Sequence, residues 1–312
     1  MKDSVVIVLN GGFGNQLFQL AKAIELSSDF NVSINTTIGV TPRTNSGLPS
    51  ILDYELPKSI SVDDLPQSFA NQRVIRFLIS TSLRSFANPL VGRFVKLMNL
   101  VVKAIFLFVS NQWDGVYVAD GIGQTKINLK PGKNLVVGYF QTTNWKDVNL
   151  IRATMAELEH KQGARFLQGY IKIARFEHPL ILHIRMGDYR NEKSIGMIDK
   201  NYVELALSYA INRGEFKKIW LFSDEPEEAM SLVPSYLHPK VEVIREVEGS
   251  PTLTQEVMRL GCGYVLSNST FGWWAAYLSR NEPKTVIIPD PWFKKIEEPL
   301  GLIPTSWTRI AR

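Results

Sequence analysis

The feature that most constrains the fold is a regular alternation of short apolar runs and helical segments from Pro179 to Pro289. Apolar runs of this length are typical of buried strands, and the segments between them carry apolar residues at helical spacing. The predicted strands are LILHI at 180–184, KIWLF at 218–222, KVEVI at 240–244, GYVLS at 263–267 and TVIIP at 285–289. Strands that alternate with helices predict an α/β protein with a parallel sheet, in which ligands bind beyond the carboxyl ends of the strands.

The first part of the chain begins with a similar unit. Ser4–Leu9 is predicted to be a buried strand, Asn10–Asn15 a glycine-rich turn and Gln16–Leu26 a helix. A charged helical segment from Asp147 onward separates this part from the regular alternation. We therefore predict an N-terminal α/β domain over residues 1–145 and a C-terminal domain over residues 146–312, with the last residues able to pack back on the first domain.

Composition excludes several classes of protein. A chain of 312 residues that is 45% hydrophobic and 21% charged can bury a substantial core. Its single cysteine, Cys262, and its four histidines exclude an internal disulfide framework and make a zinc site unexpected. The N-terminus has no basic segment, apolar core and cleavage site of a secretory signal. We therefore expect a cytoplasmic protein without a bound metal.

The net charge of +5 comes from one region. No Asp or Glu occurs between Leu65 and Trp113, whereas six basic residues do: Arg73, Arg76, Arg84, Arg93, Lys96 and Lys103. The region is predicted to be largely helical and is rich in aliphatic residues rather than in stacking aromatics, which does not favour nucleic acid. For its most apolar stretch, residues 94–110, two interpretations stay open, namely a buried helix of the N-terminal domain and a helix that lies on an anionic membrane surface.

Polar residues follow three of the predicted strands at the point where each strand ends. Arg185 follows LILHI and supplies a planar cation suited to phosphate. Asp224 follows KIWLF and could accept hydrogen bonds from a base or a ribose. Asn268–Thr270 follows GYVLS and precedes a helix whose first amides could bind an anion. Together these groups predict a site for a phosphate-bearing ligand.

Each of these groups also has a structural interpretation. Arg185 could form a surface ion pair, while Asp224 and Asn268–Thr270 could only cap helices. In the first turn, Gly11, Gly12 and Gly14 could serve packing rather than ligand approach. The phosphate loop of nucleotide triphosphatases, the dinucleotide fingerprint of dehydrogenases and the nucleophile elbow of hydrolases are all absent from the sequence.

Five ordered motifs identify a family resemblance: GGFGNQLFQLAKA, GYFQ, HIRMGDYR, FSDEPEEA and LSNSTFGWWAAYLS. Together they resemble glycosyltransferase family 11, the α-1,2-fucosyltransferases, from Leu9 to about Pro289. The resemblance implies two Rossmann-like domains of GT-B type with the donor site in the C-terminal domain. It also implies inverting, metal-independent transfer of L-fucose from GDP-fucose to the 2-hydroxyl of a terminal galactose, without a cofactor.

The resemblance also implies roles for single residues. Arg185 would contact the donor diphosphate, and Asp224 would lie near the nucleoside. The other implied donor or sugar contacts are Gly14, Asn15, His183, Asn268, Ser269, Thr270 and Phe271. One position departs from the family motif HxRRGD, because Met186 replaces the second arginine. Arg190 and Lys193 are nearby cations that could take over its role.

The catalytic base is predicted among the carboxylates that follow Arg185. Asp188 is the first candidate and Glu192 the second, because either could face the acceptor hydroxyl. Asp188 could instead orient Arg185. Without a metal, Arg185 and the helix that begins near Ser269 would stabilise the leaving diphosphate.

Two further hypotheses remain open at this stage. One is a non-catalytic glycan- or nucleotide-binding protein, and the other is a transferase that uses a different sugar nucleotide. If residues 65–113 bind an anionic membrane, the protein could be peripheral on the inner membrane. A galactose-terminated, lipid-linked acceptor of a bacterial surface polysaccharide or O-antigen would be found there.

Overall fold

The computed structural model describes residues 3–37, 49–63, 113–119, 121–123, 127–283 and 285–312, together with Arg73, Phe77 and Val101. Nearly all of the basic region at 65–113 lies outside these residues, and so do the helix and the membrane contact predicted for it. Within the described ranges, no helix is long and apolar enough to cross a membrane. The chain divides into two compact units, Met1–Leu158 with Pro299–Ile303 (unit 1) and Glu159–Glu298 with Pro304–Arg312 (unit 2).

The described part of unit 1 contains a parallel sheet covered by helix α1. Its strands are β1 Ser4–Val8, β2 Asn31–Asn35, β3 Ile60–Asp63, β4 Gly115–Val118 and β5 Lys133–Val137. They are arranged in the order β3-β2-β1-β5-β4, and every pair is parallel. The central strand β1 is buried over Val5–Val8 because its residues are apolar without alternation, as expected for a strand covered on both faces.

Helix α1 spans Phe13–Ser27 and is buried over almost its whole length. It begins three residues before the predicted start, because the Gly12 carbonyl already accepts hydrogen bonds from Asn15 N and Gln16 N at 2.9 and 3.1 Å. Helix α2, Val148–Ala156, packs on α1 in the same unit. The predicted domain junction at residues 145 and 146 therefore lies inside unit 1.

Unit 2 contains a second parallel sheet. Its strands are β6 Leu180–Ile184, β7 Ile219–Ser223, β8 Val241–Val243, β9 Gly263–Leu266, β10 Val286–Asp290 and β11 Thr308–Ala311. They are arranged in the order β11-β10-β9-β6-β7-β8, again with every pair parallel. The predicted α/β class is confirmed, and all five strands expected in this half of the chain are present.

The described part of unit 2 has five α-helices, three of which begin directly after a residue whose side chain caps them. They are α3 Gly163–Glu177, α4 Lys200–Ile211, α5 Pro226–Ser231, α6 Pro251–Met258 and α7 Thr270–Tyr277. Helices α4, α6 and α7 start after Asp199, Ser250 and Ser269, whose side chains accept backbone N–H bonds. Apolar periodicity alone predicts starts at Tyr202, Leu253 and Gly272, which is two residues too late in each case.

The last residues of the chain are divided between the units. Pro299–Ile303 belongs to unit 1, where Gly301 O accepts a hydrogen bond from Thr143 N at 2.8 Å. Strand β11 belongs to unit 2, where it is the edge strand beside β10. The final strand was not predicted, because TRIA alternates in exposure and resembles no buried strand.

Candidate functional site

The three predicted strand ends lie at one edge of the unit 2 sheet. Strands β9, β6 and β7 are neighbours and parallel, so their carboxyl ends are adjacent. Direct contacts join the residues that follow them. The backbone N–H of Arg185 donates to Ser267 Oγ at 3.1 Å, and Arg185 Nη1 lies 3.3 Å from Asp224 Oδ2. The sheet therefore brings the predicted groups together.

Two carboxylates hold the Arg185 guanidinium. Its Nε donates to Asp188 Oδ1 at 2.9 Å, and Asp224 faces Nη1. Burial alone lowers the pKa of Arg185, but the hydrogen bond to Asp188 and the charge of Asp224 outweigh this and raise the pKa above its ordinary value. The side chain is 37% exposed, so a fixed cation remains accessible to a ligand.

Asp224 holds the start of the loop that follows β6. Its Oδ1 accepts from Met186 N at 2.9 Å, in addition to the contact of Oδ2 with Arg185. A Cβ atom on Gly187 would lie 2.5 Å from Asp224 Oδ2, so a larger residue there would displace the carboxylate. The two carboxylate oxygens of Asp224 thus contact Met186 and Arg185. The family resemblance, by contrast, implies that Asp224 lies near the nucleoside.

Met186 lies in the hydrophobic core rather than in the site. Its side chain is 2% exposed and belongs to the cluster that includes Ile184, Ile198 and Tyr202. Arg185 and Met186 differ in this way because successive side chains of an extended segment point to opposite sides. The position of the family's second arginine is therefore a core position in this chain.

Arg190, one of the two cations suggested as a replacement, is held by other residues. Its guanidinium forms ion pairs with Glu225 and Glu228, which lie at the start of helix α5. Lys193 is exposed. Neither side chain is joined to Arg185 or to helix α7 by a contact within the described part of the chain.

The turn between β9 and α7 offers a helix N-terminus beside this loop. Ser269 Oγ caps α7 by accepting from Phe271 N at 3.3 Å, and Thr270 is the first helical residue. Tyr189 OH donates to Asn268 O at 3.3 Å, which links the Arg185 loop to the turn. Burial raises the pKa of Tyr189 to about 12, so it stays a neutral donor. The first amides of a helix favour an anion.

His183 is a buried, neutral imidazole that contacts Ser267 and Phe271 of the site. It is 5% exposed, its Nδ1 lies 3.3 Å from Ser267 Oγ, and its ring centroid lies 5.9 Å from that of Phe271. Burial lowers the pKa of His183 to about 4, and the charge of Arg185 acts in the same direction. Ser267 was not predicted, because a serine at the end of GYVLS has no feature that separates it from the strand.

The depressed pKa of His183 predicts a loss of stability in acid. The unfolded state binds a proton below about pH 6.5, whereas the folded state does so only below about 4, so the contribution is complete above 6.5 and is lost between these values. The free energy of unfolding should fall by about 2 kcal/mol more between pH 8 and pH 5 in the wild type than in His183→Asn. Denaturant titrations at both pH values measure this, and equal losses in the two proteins would contradict it.

The two candidate bases occupy different surroundings. The Asp188 carboxylate is bound to Arg185 and its side chain is 62% exposed, an arrangement that suits the alternative orienting role. Glu192 is exposed, and its carbonyl accepts hydrogen bonds from Ile195 N and Gly196 N that fold the loop back. No contact among the described residues joins the Glu192 carboxylate to Arg185.

In unit 1, Gly14 and Asn15 lie in the first turn of α1 and not in the predicted turn, because the helix starts at Phe13. Asn15 Oδ1 accepts from Gln141 Nε2 at 3.0 Å, so the GGFGNQ and GYFQ motifs meet. Gly11 has a φ of +78°, and a Cβ atom on it would lie 2.5 Å from Asn15 Nδ2. Glycine is therefore needed at position 11 both for the backbone and for the amide.

Comparison with known proteins identifies related transferases. The chain is 25% identical to an alpha-1,2-colitosyltransferase of Escherichia coli over 99% of both proteins. It is 30% identical to the O-antigen biosynthesis glycosyltransferase WbnK of Escherichia coli, over 36% of this chain and 38% of that protein. Both relatives are glycosyltransferases by name.

The fold and the family follow from two further matches. The crystal structure of NodZ alpha-1,6-fucosyltransferase soaked with GDP-fucose has a TM-score of 0.53 and 14% identity, over 93% of this chain and 96% of that one. This likeness confirms the predicted GT-B type of fold with two Rossmann-like units. The model of glycosyl transferase family 11 matches residues 129–299, which is more than half of the chain. The protein is therefore a glycosyltransferase that belongs to glycosyl transferase family 11.

Proposed function

We propose that this glycosyltransferase moves L-fucose from GDP-fucose, with inversion, to the 2-hydroxyl of a terminal galactose in a bacterial surface polysaccharide such as an O-antigen. The observation that carries the proposal is the arrangement of Arg185 between Asp188 and Asp224, beside the start of helix α7. A fixed cation next to a helix N-terminus is suited to the diphosphate of a sugar nucleotide.

The proposed reaction breaks the bond between the fucose anomeric carbon and the β-phosphate oxygen of the donor. The acceptor 2-oxygen forms the new bond on the opposite face, its proton passes to a base, and GDP leaves with the electron pair. Arg185 and the first amides of α7 stabilise the charge that develops on the β-phosphate, in the place of a metal. Ser269, Thr270 and Phe271 are the proposed neighbours of this phosphate, and Asn15 a proposed sugar contact in unit 1.

The base is proposed among the two exposed carboxylates of the Arg185 loop. The hydrogen bond between Asp188 and Arg185 supports an orienting role for Asp188, because an orienting carboxylate needs this contact and a base does not. Glu192 is then the carboxylate of the same loop that can take the acceptor proton. The acceptor itself is proposed to be lipid-linked, with the basic region at 65–113 in contact with an anionic membrane.

A second donor is favoured by the colitosyltransferase, which resembles this chain over its full length. Colitose is L-fucose without its 3-hydroxyl, and a colitose donor that carries GDP would offer Arg185 the same diphosphate as GDP-fucose. Discrimination then depends on a partner for the 3-hydroxyl, because a site that hydrogen-bonds a hydroxyl rejects a ligand that lacks it.

A donor and acceptor panel tests the proposal. We expect GDP release from GDP-fucose with a β-galactoside, and none when 2-deoxygalactoside replaces the acceptor, because the attacking oxygen is missing. GDP-mannose serves as the donor control. Faster turnover of GDP-colitose would assign colitose instead, and binding of GDP without release from any donor would identify a non-catalytic protein.

A further inference from the structure

We propose that Arg312 is a positioning residue for the donor site, because it fixes the loop at 195–197 that holds Asn268 at the start of helix α7. This inference rests on the proposed function, since it concerns the same site in unit 2. Arg312 itself follows strand β11 and belongs to none of the motifs that identify the family.

The Arg312 guanidinium binds four backbone carbonyls. Its Nη1 donates to Gly196 O at 3.0 Å and to Met197 O at 3.3 Å. Its Nη2 donates to Ile195 O at 2.9 Å and to Trp292 O at 3.1 Å. Three successive carbonyls of one loop are thus held by a single planar group, which a flexible point charge such as lysine cannot reproduce.

The same loop binds Asn268 from the other side. Asn268 Nδ2 donates to Ile195 O at 3.1 Å and to Gly196 O at 2.9 Å, so Asn268 and Arg312 share two acceptors. Asn268 is 2% exposed and immediately precedes the cap Ser269. Its orientation therefore depends on two carbonyls that Arg312 also binds.

The loop at 195–197 has little regular structure of its own to hold it. Asn191–Met197 contains no helix or strand, and Gly196 has a φ of +76°. Buried carbonyls need donors, and the loop obtains them from Arg312, from Asn268 and from Lys294 N, which donates to Ile195 O at 3.2 Å. Removal of Arg312 would leave the loop, and with it Asn268 and the α7 start, free to shift.

Kinetics of Arg312→Ala test this role. A shift of the α7 amides away from the leaving phosphate should lower kcat by about 10- to 100-fold, since misplacement by about 1 Å can cost about 10². The KM for the acceptor should change by less than about twofold, as acceptor contacts are not involved. Millimolar guanidinium chloride, far below denaturing concentration, should restore part of the kcat of Arg312→Ala.

Three control proteins distinguish positioning from a general structural effect. Arg309→Ala removes a neighbouring arginine that pairs with Asp290 and Glu298, and it should keep the wild-type kcat and show no response to guanidinium. Arg312→Lys should stay impaired. Asn268→Ala combined with Arg312→Ala should lose no more than the larger single loss, because the two act through one loop.

Several results would overturn the inference. One is a wild-type kcat in folded Arg312→Ala. Another is a decrease in activity that is explained by the smaller folded fraction alone and does not respond to guanidinium. A third is a decrease in kcat in the double variant that equals the two single decreases combined. If Arg312→Ala does not fold, Arg312→Lys decides instead: a wild-type kcat in the folded protein would overturn the inference, and a lowered kcat with an unchanged acceptor KM would support it. Failure of the proposed function itself would show separately, as a wild-type protein that releases no GDP from any donor.

Discussion

Replacement of Arg185 by Ala should lower kcat for sugar transfer by about 10² to 10³ while the fold stays intact. The guanidinium is held by Asp188 and Asp224 and is still 37% exposed, so it is a preorganised cation that can meet the charge developing on the leaving phosphate. Its removal takes away that charge without opening the core. GDP release and transferred sugar should fall together, and thermal unfolding should show a protein that is still folded.

Arg185→Lys provides the matched comparison. Lysine keeps the charge but cannot contact both carboxylates and a phosphate through a planar fork, so it should recover only a small part of the kcat. Nearly normal turnover of a folded Arg185→Ala protein would refute the role of Arg185 as phosphate contact. Equal losses of transfer in Arg185→Ala and Arg309→Ala would also refute it, because Arg309 lies in an unrelated surface ion pair.

Restoring the family's arginine pair by Met186→Arg should destabilise the protein by about 3–5 kcal/mol, because an unpaired charge would enter the core. Met186 is 2% exposed and packs beside Ile198 and Tyr202. The sequence motif alone suggests the opposite, namely that a second arginine would improve phosphate binding. Denaturant unfolding measures the change, and activity assayed on the folded fraction should not rise.

Met186→Leu is the control for this prediction. Leucine is apolar and of similar volume, so the free energy of unfolding should change by less than about 1.5 kcal/mol. If Met186→Arg were as stable as Met186→Leu and bound GDP more tightly, the side chain at position 186 would have to reach the site, contrary to its burial.

The positions of the candidate-site groups along the chain could be predicted because they depend on local patterns. Apart from His183, strand β6 is an apolar run, and such a buried parallel strand is expected to end where exposed polar residues begin. Arg185 was therefore placed correctly at the carboxyl end of β6 without any tertiary information. Asp224 after β7 and Ser269 after β9 followed for the same reason.

The partners of these groups could not be predicted in this way. Whether Asp188 acts as a base or as an orienting group depends on its distance from Arg185 Nε, and no sequence pattern gives that distance. The sequence allows Arg190 to replace the missing arginine, but in the folded protein its guanidinium pairs with Glu225 and Glu228. Apolar periodicity predicts the starts of α4 and α7 two residues too late, because it does not register the capping side chains of Asp199 and Ser269.

The sequence by itself therefore determined the fold class, the family motifs and the strand ends that carry Arg185, because buried parallel strands and glycine-rich turns have local signatures. Only the tertiary structure decided that Met186 faces the core and that Arg312 holds the loop at residues 195–197. This loop contacts Asn268, which lies 72 to 73 residues later in the chain, and Arg312, which lies 115 to 117 residues later. The physical reason is that hydrogen bonds between distant segments depend on the packing of the whole unit, and this packing cannot be deduced from the periodicity of residues along the chain.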